Sequence, residues 1–198
     1  MSVMSDLGFA LFDTAIGCCG IVWSDRGIAG VQLPERSESA TRNRVLRRFP
    51  TARGAAPPAP VLRVIDDIIA LLKGEPRALG EATLDLQGAS DFNRRVYEVA
   101  RGIRAGATLT YGEVAERLGD RNLARDVAAA LSQNPCPIIV PCHRVMAAGG
   151  KTGGFSAPGG VRTKLRLLSI EGAQPVEPDA PMLFDRLPLM AARRRSGS

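Results

Sequence analysis

The chain has 198 residues, 45% of them apolar, with 26 basic and 20 acidic side chains and a net charge of +6. That length gives one large domain or two small ones with a proper core, and no stretch reaches the roughly 18 apolar residues of a membrane span. The first residues lack a secretory leader, and Cys18, Cys19, Cys136 and Cys142 form neither a disulfide frame nor a CxxC–histidine metal pattern. We therefore expect a reduced, soluble, cytoplasmic protein without a metal.

Three runs rich in apolar and β-branched residues, 9–12, 20–23 and 28–33, are separated by turn chemistry such as Ser24-Asp25-Arg26-Gly27. They predict a hairpin or meander. Residues 37–49 predict a basic helix that Pro50 ends, and the Ala/Pro/Gly stretch 52–60 predicts a connection. Val61, Val64, Ile65, Ile68, Ile69 and Leu72 recur at helical spacing, with Gly74 as the stop. Residues 83–87 alternate like a short strand that joins the first sheet.

A seam of small residues at 88–90 changes the character of the chain. Phe92, Val96, Val99, Ala100 and Ile103 mark a helix capped by Ser90 or Asp91. Thr110-Tyr111-Gly112-Glu113 is a capping box and opens a short helix ending near Leu118-Gly119. A turn at 120–122 leads to a second helix over 123–133, and two short helices on a tight turn are the helix-turn-helix arrangement. Asn134-Pro135 ends that helix. The run Pro137-Ile138-Ile139-Val140 predicts a short buried strand, which Pro141 stops because it has no N–H to donate. Residues 149–154 form a glycine-rich loop, and 160–171 close with one more helix. The chain thus divides into 1–88, 89–172 and an extended tail, 173–198.

Charge follows this division. Residues 1–88 carry 10 basic and 10 acidic side chains, whereas 89–172 carry 12 and 7. Of the 26 basic residues 23 are arginine, which suits phosphate and stacking on bases. The pattern favours nucleic acid as the partner.

The only histidine, His143, stands beside Cys142 in Pro141-Cys142-His143-Arg144-Val145. A free thiol has a pKa of roughly 8.5 and is a poor nucleophile until its proton is removed. Adjacent side chains diverge, so the two communicate through a bridging water or through a turn that bends them together. His143 also needs an orienting partner, for which Glu171 and Asp126 are the candidate acids.

This stretch resembles the active-site signature of the O6-alkylguanine-DNA alkyltransferases (methylated-DNA–protein-cysteine methyltransferases). Thr110-Tyr111-Gly112-Glu113-Val114-Ala115, Ala124-Arg125, Asn134-Pro135 and Leu167-Leu168-Ser169-Ile170-Glu171-Gly172 fall in that family's order and spacing. The resemblance covers 90–172 strongly and the N-terminal part weakly. It implies an α/β protein: a small N-terminal sheet-plus-helix, ribonuclease-H-like domain, then a helical, winged helix-turn-helix-like domain. The implied activity is single-turnover repair of O6-alkylguanine and O4-alkylthymine by transfer of the alkyl group to Cys142. The implied partner is double-stranded DNA bearing alkylated bases, met in the minor groove by a monomer with no dissociable cofactor.

The resemblance also implies roles. His143 draws off the thiol proton, Glu171 holds His143, Asn134 braces the turn, and Tyr111 protonates the departing purine. Arg125 is the finger that enters the base stack, beside Ala124. Val145, Ser156 and Arg144 complete the substrate and DNA contacts. The chain departs from the family pattern at Leu123, Asp126 and Ala128 around the finger, and in a longer loop at 156–160. An acid at 126 opposes phosphate unless it turns toward Arg121 or Arg144. Two other readings remain: a non-repair DNA-binding protein of alkyltransferase-like or winged-helix type, and a cysteine hydrolase.

Overall fold

The computed structural model describes residues 6–173. The tail predicted to be extended lies outside them from residue 174 onward. Strands β1 (Gly8–Thr14), β2 (Gly17–Ser24) and β3 (Gly27–Gln32) form the expected antiparallel meander. Inside the predicted connection, β4 (Arg53–Gly54) pairs parallel with β1, giving the order β3-β2-β1-β4.

Both faces of this sheet are covered. On one side lies α1 (Glu38–Arg48), begun by Ser37, whose hydroxyl accepts from Ala40 N. Its Val45 packs with Phe9 and Val22. On the other side lies α2 (Ala59–Leu72), with Pro60 in the first turn, where a missing N–H costs nothing. Ile21 and Trp23, the alternate residues of β2, join Ile65 and Ile68 there. Covering on both faces explains why β2 reads as a continuous apolar run rather than an alternating one.

The strand expected at 83–87 is reduced to one bridge, Ile28 with Leu84. Ile28 N donates to Thr83 O and Asp85 N to Ile28 O, at 2.9 and 2.8 Å. A Cβ on Gly27 would lie 2.5 Å from Thr83 O, so only glycine allows this approach. Pairing stops because the Asp85 carboxylate is engaged by Ser24 and Arg26 and accepts from Gln87 N, which turns the chain away.

Beyond the seam, α3 (Asp91–Arg101) is capped by Ser90. The pair β5 (Leu109–Thr110) leads directly into α4 (Tyr111–Arg117) through the complete capping box of Thr110 and Glu113. A 3-10 turn at Arg121–Leu123, capped by Asp120, precedes α5 (Ala124–Ser132). Helices α4 and α5 pack on each other, and α5 packs on α3. Strand β6 (Val145–Met146) pairs parallel with β5, and α6 (Val161–Ile170) ends the described chain. The β5–β6 pair sets the start of α4, with Tyr111, beside the exit of the Cys142 turn. One core runs unbroken from Ile21 of the sheet through Ile68, Val96 and Val127 to Leu167. Among the described residues no helix is long and apolar enough to cross a membrane.

Candidate active site

The segment before Cys142 is a buried turn, not the predicted strand. Asn134 organises it from both ends: its Oδ1 accepts from Cys136 N at 2.9 Å and its Nδ2 donates to Val140 O at 2.8 Å. Val140 N donates to Cys136 O at 2.8 Å, closing the loop. This geometry places Ile138 at φ +76°, in the left-handed region, a strain of about 1–3 kcal/mol for a β-branched residue. Ile138 is 1% exposed, and burying an isoleucine side chain returns roughly 1.5–3 kcal/mol. The apolar residues that suggested a strand therefore hold a strained turn in the core. Cys142, His143 and Arg144 then form one 3-10 turn.

Cys142 is 9% exposed and His143 is 1% exposed. Nε2 of His143 lies 3.0 Å from Glu171 Oε1, and Arg144 donates to both carboxylate oxygens at 2.8 Å. Burial alone would raise the Glu171 pKa, but its bonds to His143 and Arg144 hold it at about 2. An ionised carboxylate only accepts, so His143 donates through Nε2 and leaves Nδ1 as the lone-pair nitrogen. Burial pushes the imidazole below its ordinary range, against the pull of Glu171, and keeps it neutral at pH 7. Nδ1 is buried with no hydrogen-bond partner among the described residues. Burial pushes the Cys142 thiol up, while Asn134 and the charge of Lys164 draw it partly back. The arrangement is a protonated thiol beside a neutral, anchored base.

Cys142 lines a cleft with two arms. The first, about 410 Å³, is bounded by Tyr111, Ala128, Leu131, Phe155 and Ser156. Tyr111 is the first residue of α4, and its pKa is raised by burial and by Cys142, so the phenol keeps its proton. It stands close to Gly153, where a Cβ would lie 3.3 Å from the phenol oxygen and where φ is +69°. The second arm, about 320 Å³, runs toward the N-terminal sheet.

Residues 91–173 match the family described as 6-O-methylguanine DNA methyltransferase, DNA binding domain. A methylated-DNA–protein-cysteine methyltransferase of Methanothermobacter thermautotrophicus is 37% identical over 153 residues, which are 77% of this chain and 78% of that protein. The chain belongs to the methylated-DNA–protein-cysteine methyltransferase family. The O6-methylguanine methyltransferase of Mycobacterium tuberculosis superposes with a TM-score of 0.66 at 29% identity, over 86% of this chain and 96% of that one. The M. tuberculosis protein solved in complex with DNA gives 0.64 at 28% identity, over 83% and 92%.

Of the family residues read from the sequence, Cys142, His143, Glu171, Asn134, Tyr111 and Ser156 gather at this cleft or directly behind it. Ser156 lies on its rim and donates to Ser132 O at 3.1 Å. Arg125 is exposed on the first turn of α5, with Ala124 half-buried before it. One expectation needs correction. Arg144 is buried, and its guanidinium is taken up by Glu171 and Ile103 O, so it faces the protein interior rather than DNA. Val145 is fully buried, and its carbonyl accepts from Lys164 Nζ at 2.6 Å. Asp126 turns to neither Arg121 nor Arg144: it is exposed, with no ion pair among the described residues.

Two residues escaped the sequence reading. Lys164 is fully buried, donates to Val145 O and Thr152 O, and sits 5.9 Å from the Tyr111 ring centroid. Burial lowers its pKa to about 8. Arg48 of α1 reaches across to the active-site turn, donating to Pro135 O at 3.2 Å and to Val31 O and Gln32 Oε1 at 3.1 Å. The available signal for Lys164 was its rarity, since the chain has three lysines against 23 arginines.

Proposed function

We propose that Cys142 takes an alkyl group directly from O6 of guanine in double-stranded DNA and keeps it. The observation that carries this reading is the buried Glu171–His143 pair beside a thiol at the floor of a base-sized cleft. The names of the relatives and a structural neighbour solved with DNA support the same reaction.

A paired base cannot present O6 to a thiol, so the nucleotide rotates out through the minor groove at a cost of a few kcal/mol. Arg125 enters the stack behind it, and Ala124 allows the backbone near. The guanine occupies the arm between Tyr111, Leu131 and Ser156. His143 Nδ1 accepts the Cys142 proton by way of a water, and the imidazolium is stabilised by Glu171, itself held by Arg144. The thiolate attacks the alkyl carbon in line with O6: the S–C bond forms, the C–O6 bond breaks, and the electron pair passes to the purine. The Tyr111 phenol donates a proton to the leaving base, improving a poor leaving group. A thioether does not hydrolyse readily, so each chain acts once, and O4-alkylthymine fits the same chemistry.

In this reading residues 1–88 form a ribonuclease-H-like companion and 89–172 a winged helix-turn-helix-like unit that meets DNA with α5. The protein works in the cytoplasm as a monomer without a dissociable cofactor. Intact-mass measurement after mixing with a duplex containing O6-methylguanine tests the assignment. The expected result is one added methyl per chain, mapped to Cys142 and missing in Cys142→Ser. An unmodified wild-type chain, or continued turnover, defeats it.

A further inference from the structure

The second arm of the cleft differs in chemistry from the first. It shares Cys142, Ser132 and Ser156 with the first arm, but its far wall is Gln32, Arg44 and Arg48 from the N-terminal half. Among the described residues no carboxylate lines it. Arg48 is committed to Pro135, Val31 and Gln32, and the Gln32 amide donates to Leu33 O. Arg44 is exposed and makes no hydrogen bond or ion pair among the described residues.

Resting on the alkyl-transfer reading above, we propose that this arm receives the part of the O6 substituent beyond the reacting carbon. Arg44 then selects for substituents that end in a carboxylate, the O6-carboxymethylguanine class. The argument is stereochemical and electrostatic. In an in-line displacement, sulfur and O6 occupy opposite sides of the reacting carbon, so anything further on that carbon leaves the axis sideways. With guanine in the apolar arm, the remaining space bordering the sulfur is the polar arm. A methyl group does not enter it. A carboxymethyl group brings an anion next to the attacking thiolate, and like charges at that range repel strongly in a partly dry cleft. A cation facing the carboxylate offsets that repulsion, and Arg44 is the lining cation free to do so.

The atoms balance without a further reactant. Sγ bonds the CH₂ carbon, the C–O6 bond breaks, guanine leaves protonated by Tyr111, and Cys142 becomes S-carboxymethylcysteine.

The test compares single-turnover rates with three duplexes, carrying O6-methylguanine, O6-carboxymethylguanine and the neutral isostere O6-carbamoylmethylguanine. The quantity read is the carboxymethyl-to-carbamoylmethyl rate ratio, in which general effects on DNA binding cancel. In Arg44→Glu the ratio falls roughly tenfold, in Arg44→Gln it falls less, and in Arg44→Lys it stays near wild type. A ratio unchanged in Arg44→Glu, with methyl transfer to Cys142 intact, overturns this inference alone. Failure of wild-type protein to take even the methyl group overturns the alkyl-transfer reading beneath it.

Discussion

Glu171 serves two buried partners with two oxygens, and its charge decides the state of both. His143 Nε2 and Arg144 Nη2 meet Oε1, and Arg144 Nε meets Oε2. Glu171→Gln keeps the shape but leaves the Arg144 cation buried without its counter-ion, which typically costs about 3–5 kcal/mol. The sign of the pH effect is fixed. The folded-state pKa of Glu171 is about 2, below the ordinary 4.5, so its stabilisation is present above 4.5 and is lost as pH falls toward 2. Urea unfolding at pH 7 is expected to show the wild type well above Glu171→Gln, with the gap narrowed at pH 3 and closed only near pH 2. Equal stabilities at pH 7 would mean that the carboxylate does nothing for Arg144. Cys142 and His143 were legible in the sequence because one histidine beside one thiol leaves few bland readings. Lys164 was not, because nothing local marks a lysine of α6 for burial against β6 and Thr152.

At the scale of single elements, local chemistry decided what could be read. The starts of α1, α3 and α4 follow from caps a few residues long, Ser37, Ser90 and the Thr110–Glu113 box, and the last two lie where the sequence places them. The turn at 136–140 was misread because composition carries no trace of Asn134 bonding both of its ends. Helix α5 shows a third case. Its N-cap, Leu123, has no side-chain oxygen to offer, and Asp126 supplies the acid in the first turn. An acid there favours the helix start by about 0.3–1 kcal/mol, at the expense of a negative charge one residue from Arg125. We expect Asp126→Asn to bind undamaged duplex more tightly, by a few-fold at low salt, with a slightly less stable helix. Arg125→Ala is expected to lose duplex repair while still reacting with free O6-alkylated guanine. Fluorescence anisotropy at two salt concentrations, paired with transfer assays on duplex and free base, reads both. An Asp126→Asn affinity no higher than wild type at either salt would remove the repulsion argument.

Across the whole molecule, the seam at 88–90 marks a real change in charge, but the core ignores it. Ile21 and Trp23 of the sheet pack in the same cluster as Val96, Tyr97 and Val127. The N-terminal half also grips the active-site turn at one carbonyl: Pro135 O accepts from Val31 N at 2.9 Å and from Arg48 Nη2 at 3.2 Å. Cys136, next in that turn, is fully buried, with its Sγ 3.8 Å from Ile28 O. A companion that merely folded alongside would have no reason to place donors on the residue after Asn134. Arg48→Met keeps the apolar stem and removes the donors, leaving polar groups of β3 and the turn underbonded at about 1–3 kcal/mol. If the N-terminal half sets the turn, Arg48→Met slows alkyl transfer from free O6-alkylated guanine as well as from duplex, because the fault lies at Cys142 and not at the DNA surface. Arg48→Lys restores part of that rate through one donor. A variant that loses stability yet transfers at the wild-type rate would show that the contact supports the fold and leaves the thiol alone.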